Sequence, residues 1–265
     1  MAKLNPPIEH FNWLTSISQL FGVNATFYQA NFSSIPAHNG IDIVGDSNGQ
    51  KGYGTKILSA HTNTATCSKV STDFPTKTHG TGVYLTERLQ DGTYLETVYW
   101  HLADIHVKAG DVVEPQQPIG SALPNKVVGL MGNTGMVSPK PTREDPYAGT
   151  HLHFGVQRYD SNGVLIQNDY HGYCDPTPLL YRAGDRLPIQ FSRNLTIGSS
   201  GAEVAWLQTI LNIEGFAKDY EPNGYFGPKT LRDVMALQLA YGINPPIGYI
   251  GPKTRGFLNS LYARM

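Results

Sequence analysis

Between Ile41 and Gln157 the chain runs in short apolar and β-branched stretches broken by glycine-rich turns, for example Gly82-Val-Tyr-Leu-Thr86 and Leu95-Glu-Thr-Val-Tyr-Trp100. Stretches of this length and make-up predict strands, and Asp91-Gly92 between the two predicts that they fold back on each other as a hairpin. Ahead of this body, Ile8, Phe11, Leu14, Ile17 and Phe21 recur at three- and four-residue spacing. That period predicts one amphipathic helix packed against the outside of the body.

The pattern changes after about Tyr181. Arg182-Ala-Gly-Asp-Arg-Leu-Pro-Ile-Gln190 is polar and broken by glycine and proline, which marks a boundary. Beyond it Gly224-Tyr-Phe-Gly-Pro-Lys-Thr-Leu231 returns 24 residues later as Gly248-Tyr-Ile-Gly-Pro-Lys-Thr-Arg255. Each copy delivers a proline near the first position of a helix, where its missing N–H costs little, so each predicts a helix start. An earlier helix is predicted after Ser199-Ser-Gly-Ala-Glu203, because Ser200 and Glu203 have capping-box spacing. The expected apolar stripes are Val204, Leu207 and Leu211 on the first helix, Leu231, Val234 and Leu237 (with Gln238 adjacent) on the second, and Phe257, Leu258 and Leu261 on the third. The expected organisation is a β-rich domain over 1–181, a linker at 182–192 and a small all-α three-helix domain over 193–265.

Composition supports this division and removes some functions. The 265 residues are 40% hydrophobic, enough for a sizeable core. With 28 glycines, 18 prolines and 15 tyrosines but only 15% charged residues, turns and strands are favoured over long helices. A formal charge of −1 and the lack of a basic run leave no electrostatic footprint for nucleic acid. No stretch approaches the roughly 20 apolar residues of a membrane span, and Met1-Ala-Lys-Leu-Asn-Pro-Pro7 lacks the apolar core of a signal peptide. A monomer is expected. Cys67 and Cys174 are the two cysteines and neither belongs to a Cys-x-x-Cys pair, which argues against a cysteine metal site and leaves either one disulfide or two free thiols.

Histidines carry the candidate chemistry. His38-Asn-Gly-Ile-Asp42 and His151-Leu-His153 lie about 110 residues apart and together suit a catalytic zinc ion, which typically takes three protein ligands and keeps a fourth position for water. If His151-Leu-His153 is a strand, both histidines share a face while Leu152 turns to the core, so one can hold metal while the other works beside it. Asp42, bracketed by Ile41 and Ile43, faces away from the core on the same reasoning. His10, His61, His79, His106 and His171 fall in no such context and are expected to be structural or exposed. Tyr28, Asn31 and Tyr99 are weaker substrate-contact candidates for which packing is favoured, as it is for Trp206. Tyr225 and Tyr249 suggest a ligand-contacting surface on the tail.

The ordered motifs His38-x-Gly-Ile-Asp42, Tyr99-Trp-His101-Leu102, Val107-Lys-Ala-Gly-Asp-Val-Val-Glu-Pro-Gln-Gln-Pro-Ile-Gly120, Gly132-Asn-Thr-Gly135 and His151-Leu-His-Phe154 resemble the lysostaphin-type (LytM, duplicated-hybrid-motif) zinc endopeptidases, which cut peptide cross-links in bacterial peptidoglycan. The tail, through Gly198-Ser-Ser-Gly-Ala-Glu-Val204, Leu207-Gln208 and the twin Gly-Pro-Lys-Thr turns, resembles the peptidoglycan-binding domain of cell-wall hydrolases. The first resemblance implies an antiparallel β fold, one Zn²⁺ held by His38, Asp42 and His153, and His101 and His151 as an unmetallated catalytic pair. No H-E-x-x-H sequence is present, so a histidine pair would replace the glutamate base of thermolysin-like enzymes.

The chain departs from that family pattern in three places. Met136–Ala148 is a proline-rich insertion ahead of His151, suited to a groove wall or a tolerated surface loop. Asp46–Gly54 lengthens a turn, and the long Pro-Thr-rich linker of some relatives is missing, which suggests domains held close together. Two other functions compete. A zinc D-Ala-D-Ala carboxypeptidase would be expected to place a glutamate shortly before its last ligand, and no Glu-x-x-His exists in the chain. A non-catalytic wall-binding or activator protein would be expected to have lost ligands, and all five positions are filled here. Bacterial peptidoglycan is the partner implied, reached outside the cell by a secreted hydrolase or a phage lysin.

Overall fold

A computed structural model describes residues 3–32, 34–45, 50–72, 80–115, 128–217 and 220–263. His79, Asp46–Gly49 and the Gln116–Gly120 end of the Val107–Gly120 motif lie outside the described residues. The chain forms two compact units, Met1–Ser18 with Ile41–Ile166 and Gln19–Gly40 with Gln167–Met265. The boundary expected at 182–192 falls within the second.

The first unit opens with α1 (Trp13–Ser16), which leads into β1 (Ile17–Gln19), and continues through β2 (Ile41–Ile43), β3 (Lys56–Ile57), β4 (Ala65–Thr72), β5 (Thr81–Arg88), β6 (Tyr94–Trp100), β7 (Leu102–Ile105), β8 (Val112–Val113), β9 (Gly129–Met131) and β10 (Leu152–Tyr159). Its main sheet runs β2-β10-β6-β5-β4-β8 with every neighbour antiparallel, and a smaller antiparallel sheet runs β3-β9-β7. Alternation decides the two faces of the main sheet. Val83, Leu85, Leu95, Tyr99, Phe154 and Val156 fall on one face and are almost wholly buried, with the Tyr99 and Phe154 rings 5.4 Å apart. Burying these side chains supplies much of the unit's stability, at roughly 25 cal/mol per Å² of apolar surface.

The hairpin forms where Asp91-Gly92 predicts it. Gly92 takes φ +87°, and the Asp91 carboxylate accepts from both the backbone N–H and the hydroxyl of Thr93. Glycine meets a positive φ without the penalty a side chain would bring.

The long N-terminal helix does not form. α1 spans only four residues, capped by Asn12, whose side chain accepts from the Leu14 N–H at 2.8 Å. Before it the chain is largely non-helical: Leu4 and Ile8 make bridges to His61 and Ile57, and both are buried. Pro6-Pro7 disfavours a helix there, and of the five regularly spaced residues only Ile8 and Phe21 are buried, while Phe11, Leu14 and Ile17 are half-buried.

His61 is structural. Fully buried, it sets Nδ1 2.9 Å from Glu87 Oε2 and Nε2 3.0 Å from the Leu85 carbonyl and 2.9 Å from the Thr97 hydroxyl. Asn63 donates to the other Glu87 oxygen.

The second unit contains α2 (Ala25–Asn31), β11 (Tyr173–Cys174), α3 (Thr177–Leu180), α4 (Ala202–Ile213), α5 (Pro228–Ala240) and α6 (Pro252–Tyr262). Both predicted Gly-Pro helix starts are observed, with proline opening α5 and α6. The capping box is not: Gly201 occupies the N-cap of α4 at φ +108° with no side-chain cap, and the Glu203 carboxylate accepts instead from Ser192 N–H and hydroxyl. On α6 the buried stripe is Thr254, Leu258 and Tyr262, whereas Leu261 is 41% exposed. Leu258 is the one residue common to the expected and observed stripes. Cys67 and Cys174 are free thiols.

The 24-residue repeat has an internal clamp. Gln208 accepts from the Asn223 and Gly224 N–H groups and donates to the Tyr225 carbonyl and the Thr230 hydroxyl. Gln238 repeats this one helix later, accepting from Gly248 N–H and donating to the Tyr249 carbonyl and Thr254 hydroxyl. Each glutamine is 1% exposed, and each ties one helix to the turn that starts the next.

Candidate metal site

Strand register assembles the core of the site. β2 and β10 pair so that Asp42 lies opposite His153, and Ile41 and Ile43 anchor β2 with 0% exposure on either side of the aspartate. His153 Nδ1 is 3.2 Å from Asp42 Oδ1, and His151 Nε2 is 3.8 Å from the same oxygen. Leu152 points into the core between the two histidines, as the alternation predicts. On the other side of β10, Trp100 is the register partner of His153, and their rings stack at 4.7 Å and 15°. The indole is tethered by Nε1 donating to the Tyr84 hydroxyl at 3.0 Å. Gly82 makes room for it, since a Cβ there would come within 2.7 Å of Trp100 Cδ1.

His38 is wholly buried. Its N–H donates to the Val23 carbonyl and its carbonyl accepts from the Gly22 N–H. Its Nδ1 is 3.1 Å from the Leu20 carbonyl. A carbonyl can only accept, which assigns the proton of the neutral ring to Nδ1 and the lone pair to Nε2. His38, Asp42 and His153 each offer one ligand atom, and these atoms all lie within 4.8 Å of one another. Two imidazoles and a carboxylate suit zinc. The 3.2 Å between His153 Nδ1 and Asp42 Oδ1 is close to the about 3.3 Å that separates two ligands of a tetrahedral ion at about 2.0 Å.

His101 and His151 stand beside this group with ring centroids 4.6 Å apart, and the His101 ring is 6.2 Å from that of His153. Carbonyls orient both rings: His101 Nδ1 donates to Thr134 at 2.7 Å and His151 Nδ1 to Gly149 at 2.8 Å. Each neutral ring therefore carries its lone pair on Nε2. Burial lowers the His101 pKa from 6.5 to about 3, and repulsion from His151 and His153 adds to the fall, against the opposing pull of the Thr134 bond and Asp42. Burial therefore favours the neutral form of His101.

The motif Gly132-Asn-Thr-Gly135 explains these placements. The Gly132 carbonyl accepts from the His151 N–H, and Asn133 Nδ2 donates to the Pro146 and Ala148 carbonyls. Thr134 presents its carbonyl to His101 while its hydroxyl donates to Leu102 and accepts from the Thr81 N–H. His101 needs this support because it adopts φ +66°, a left-handed conformation that costs a non-glycine residue about 1–2 kcal/mol. Trp100 and Thr134 are the functional neighbours that no residue-by-residue reading singled out. The signal available was their presence inside the Tyr99–Leu102 and Gly132–Gly135 motifs.

The two lengthened segments brace each other. Lys51 pairs with Asp145, and the Tyr53 and Tyr147 rings lie 5.2 Å apart. Asp145 also closes a turn with Thr142. Of the weaker candidates, Tyr99 is fully buried, with its hydroxyl accepting from the Ala60 N–H and the Thr97 hydroxyl. The Tyr28 ring lies 5.5 Å from His38, and Asn31 is exposed and donates to the Phe27 carbonyl. In the tail Trp206 is half-buried, while Tyr225 and Tyr249 are 53% and 38% exposed.

Residues 200–258 match the family described as "Putative peptidoglycan binding domain". This match covers the repeat and its two glutamine clamps. Among solved structures, the chain is similar to a zinc-containing peptidase from Vibrio cholerae at 20% identity and TM-score 0.36, covering 61% of this chain and 39% of that one. It is also similar to the catalytic domain of lysostaphin from Staphylococcus simulans, at 19% identity and TM-score 0.36 over 62% of this chain and 86% of that one. Against the antimicrobial peptidase lysostaphin of the same species it shows 19% identity and TM-score 0.42, over 68% and 53%. No curated protein matches the chain.

Proposed function

We propose that this protein is a zinc-dependent endopeptidase of the lysostaphin type that cleaves peptide cross-links of bacterial peptidoglycan, with 1–181 as the catalytic domain and 193–265 holding it on the wall. The observation that carries this reading is the neighbourhood of a His-Asp-His group and two neutral-capable imidazoles whose Nδ1 protons are both committed to backbone carbonyls. His38, Asp42 and His153 would hold the ion. When bound, zinc supplies Lewis acidity, making water more acidic and polarising a carbonyl. His101 and His151 then do the proton work. Nε2 of one accepts a proton from the attacking water, and a protonated imidazole stabilises the developing oxyanion or delivers a proton to the leaving amine.

The tail match supplies the polymer that this chemistry would act on. Tethering raises the local concentration of cross-links at the site. Such an enzyme works in the cell wall, outside the membrane, and among the described residues no helix is long and apolar enough to cross one.

The test compares metal content and wall clearance. His38→Ala and His153→Ala are expected to lose both stoichiometric metal and activity. His101→Ala and His151→Ala are expected to retain metal and lose about 10²- to 10⁴-fold in rate. Wild-type clearance by His153→Ala protein would sink the assigned site. Mass spectrometry of the released fragments identifies the bond: opened cross-links support an endopeptidase, release of terminal D-Ala alone indicates a carboxypeptidase, and pelleting with walls without cleavage indicates a non-catalytic binder.

A further inference from the structure

The sheet face that carries His153 continues past the metal group and holds a negative charge that the proposed chemistry does not use. Along β6, Trp100, Val98 and Glu96 share this face, and β10 lays His153, Gly155 and Gln157 opposite them. β5 sets Thr86 across from Glu96. Glu96 is 8% exposed. Its Oε2 accepts from the Ser68 hydroxyl at 2.8 Å and the Thr86 hydroxyl at 2.9 Å, and its Oε1 accepts from the Tyr159 hydroxyl at 3.0 Å.

All three donors are neutral. None of the ion pairs among the described residues includes Glu96; of the cations on this face, Lys69 places its Nζ over the Tyr84 ring at 5.0 Å, and Arg88, the register partner of Tyr94, is exposed. Taking a carboxylate this far out of water without a counter-charge is costly, and hydroxyl bonds return only part of that cost. A carboxylate has about four lone-pair positions, so three hydroxyls leave one. Burial first, and the neighbouring Glu96 second, push the Tyr159 phenol above its ordinary range.

We propose that Glu96 is a recognition point for a primary ammonium group on the peptide substrate, carried about four residues from the bond that is cut. Four residues along β6 separate Glu96 from Trp100, the partner of His153, a span of about 13 Å. An extended peptide lying along the strands advances at the same rise per residue, so a group four residues from the scissile bond reaches the carboxylate. An ammonium brings three donors on a compact charge, matching a single open lone pair in a small hydroxyl-lined cup. This inference rests on the peptidase reading for the direction of the groove. The competing explanation is purely structural: Glu96 staples β4, β5, β6 and β10 together through the same hydroxyls.

The experiment is calorimetric titration of the full chain in chelator, where binding is read without cleavage. The probes are Nα-acetyl-Gly-Gly-Gly-Gly-Lys-amide and Nα-acetyl-Lys-Gly-Gly-Gly-Gly-amide, each with its Nε-acetylated counterpart. In at least one order the ammonium form is expected to bind about tenfold more tightly than the acetylated form. Glu96→Gln is expected to close that gap while leaving the affinity for the acetylated peptide unchanged. If Glu96→Gln does not fold, Glu96→Asp, which withdraws the charge by one methylene, is expected to narrow the gap. Equal binding of the two forms by wild type, no binding of either, or a gap that survives substitution would each overturn the assignment. Cleavage is measured separately with metal restored. Its absence counts against the peptidase reading, whereas the ammonium preference stands or falls on the titration.

Discussion

The indole of Trp100 lies flat against the imidazole of His153, 4.7 Å away and inclined by 15°, and is itself held by the Tyr84 hydroxyl. A ring packed this way fixes the plane in which a ligating nitrogen presents its lone pair. Trp100→Ala is therefore expected to lower metal affinity by about 10- to 100-fold, the usual effect of removing a group that orients a ligand. Competition with a chromogenic chelator measures it. Unchanged affinity would show that Asp42 and the backbone orient His153 unaided.

Thr134 acts on the other histidine. Thr134→Val removes the hydroxyl that donates to Leu102 and accepts from Thr81, while its carbonyl partner to His101 remains. About 1–2 kcal/mol of stability should be lost. The rate should fall further than stability explains, with metal content intact, because His101 depends on this segment for its left-handed backbone. Calorimetry beside kcat on wall fragments separates the two, and a normal kcat would remove Thr134 from the positioning of His101.

Acid should weaken the first unit through Glu87. Burial raises this carboxyl, but hydrogen bonds from His61 and Asn63 and the attraction of His61 outweigh it, leaving a pKa below the ordinary 4.5. A carboxyl whose folded pKa is depressed contributes stability that is complete above the unfolded value and is lost as pH falls through the folded one. Glu87→Gln should thus be less stable than wild type at neutral pH, and the difference should shrink below about pH 4.5. Denaturant midpoints across pH 3–7 check this, and a difference constant with pH would contradict it.

In the tail the two glutamine clamps should be unequal. Gln238→Leu strands the Gly248 N–H and leaves the Tyr249 carbonyl and the Thr254 hydroxyl only their mutual bond at 3.4 Å, which should cost about 1–3 kcal/mol. Gln208→Leu strands two N–H groups and removes one of the donors to Asn223, Tyr225 and Thr230, and should cost more. Differential scanning calorimetry of the full chain orders them. An equal or reversed order would mean that the turns, rather than the glutamines, carry the repeat.

The parts of the fold legible from sequence were those decided within a few residues. Asp91-Gly92 makes its turn because glycine accepts a positive φ and aspartate bonds its own backbone. Pro228 and Pro252 start helices because proline has no N–H to lose there. The misread elements had a distant partner that prevailed. Ser200 and Glu203 have capping-box spacing, yet Glu203 is taken by Ser192. Ile8 to Phe21 has a helical period, yet Leu4 and Ile8 bridge to residues about 50 positions away.

The same division runs through the site. The order of residue types along the chain was enough to nominate His38, Asp42, His151 and His153, because ligand chemistry and strand alternation are properties of short segments, while His101 and the division of roles came from the family resemblance. Their working arrangement is a matter of tertiary structure. Asp42 meets His153 through a strand register 111 residues apart, His101 takes its tautomer from a carbonyl 33 residues away, and its lowered pKa comes from burial. Register, hydrogen-bond partner and desolvation are set by what the rest of the chain places around a residue, and no local pattern encodes them.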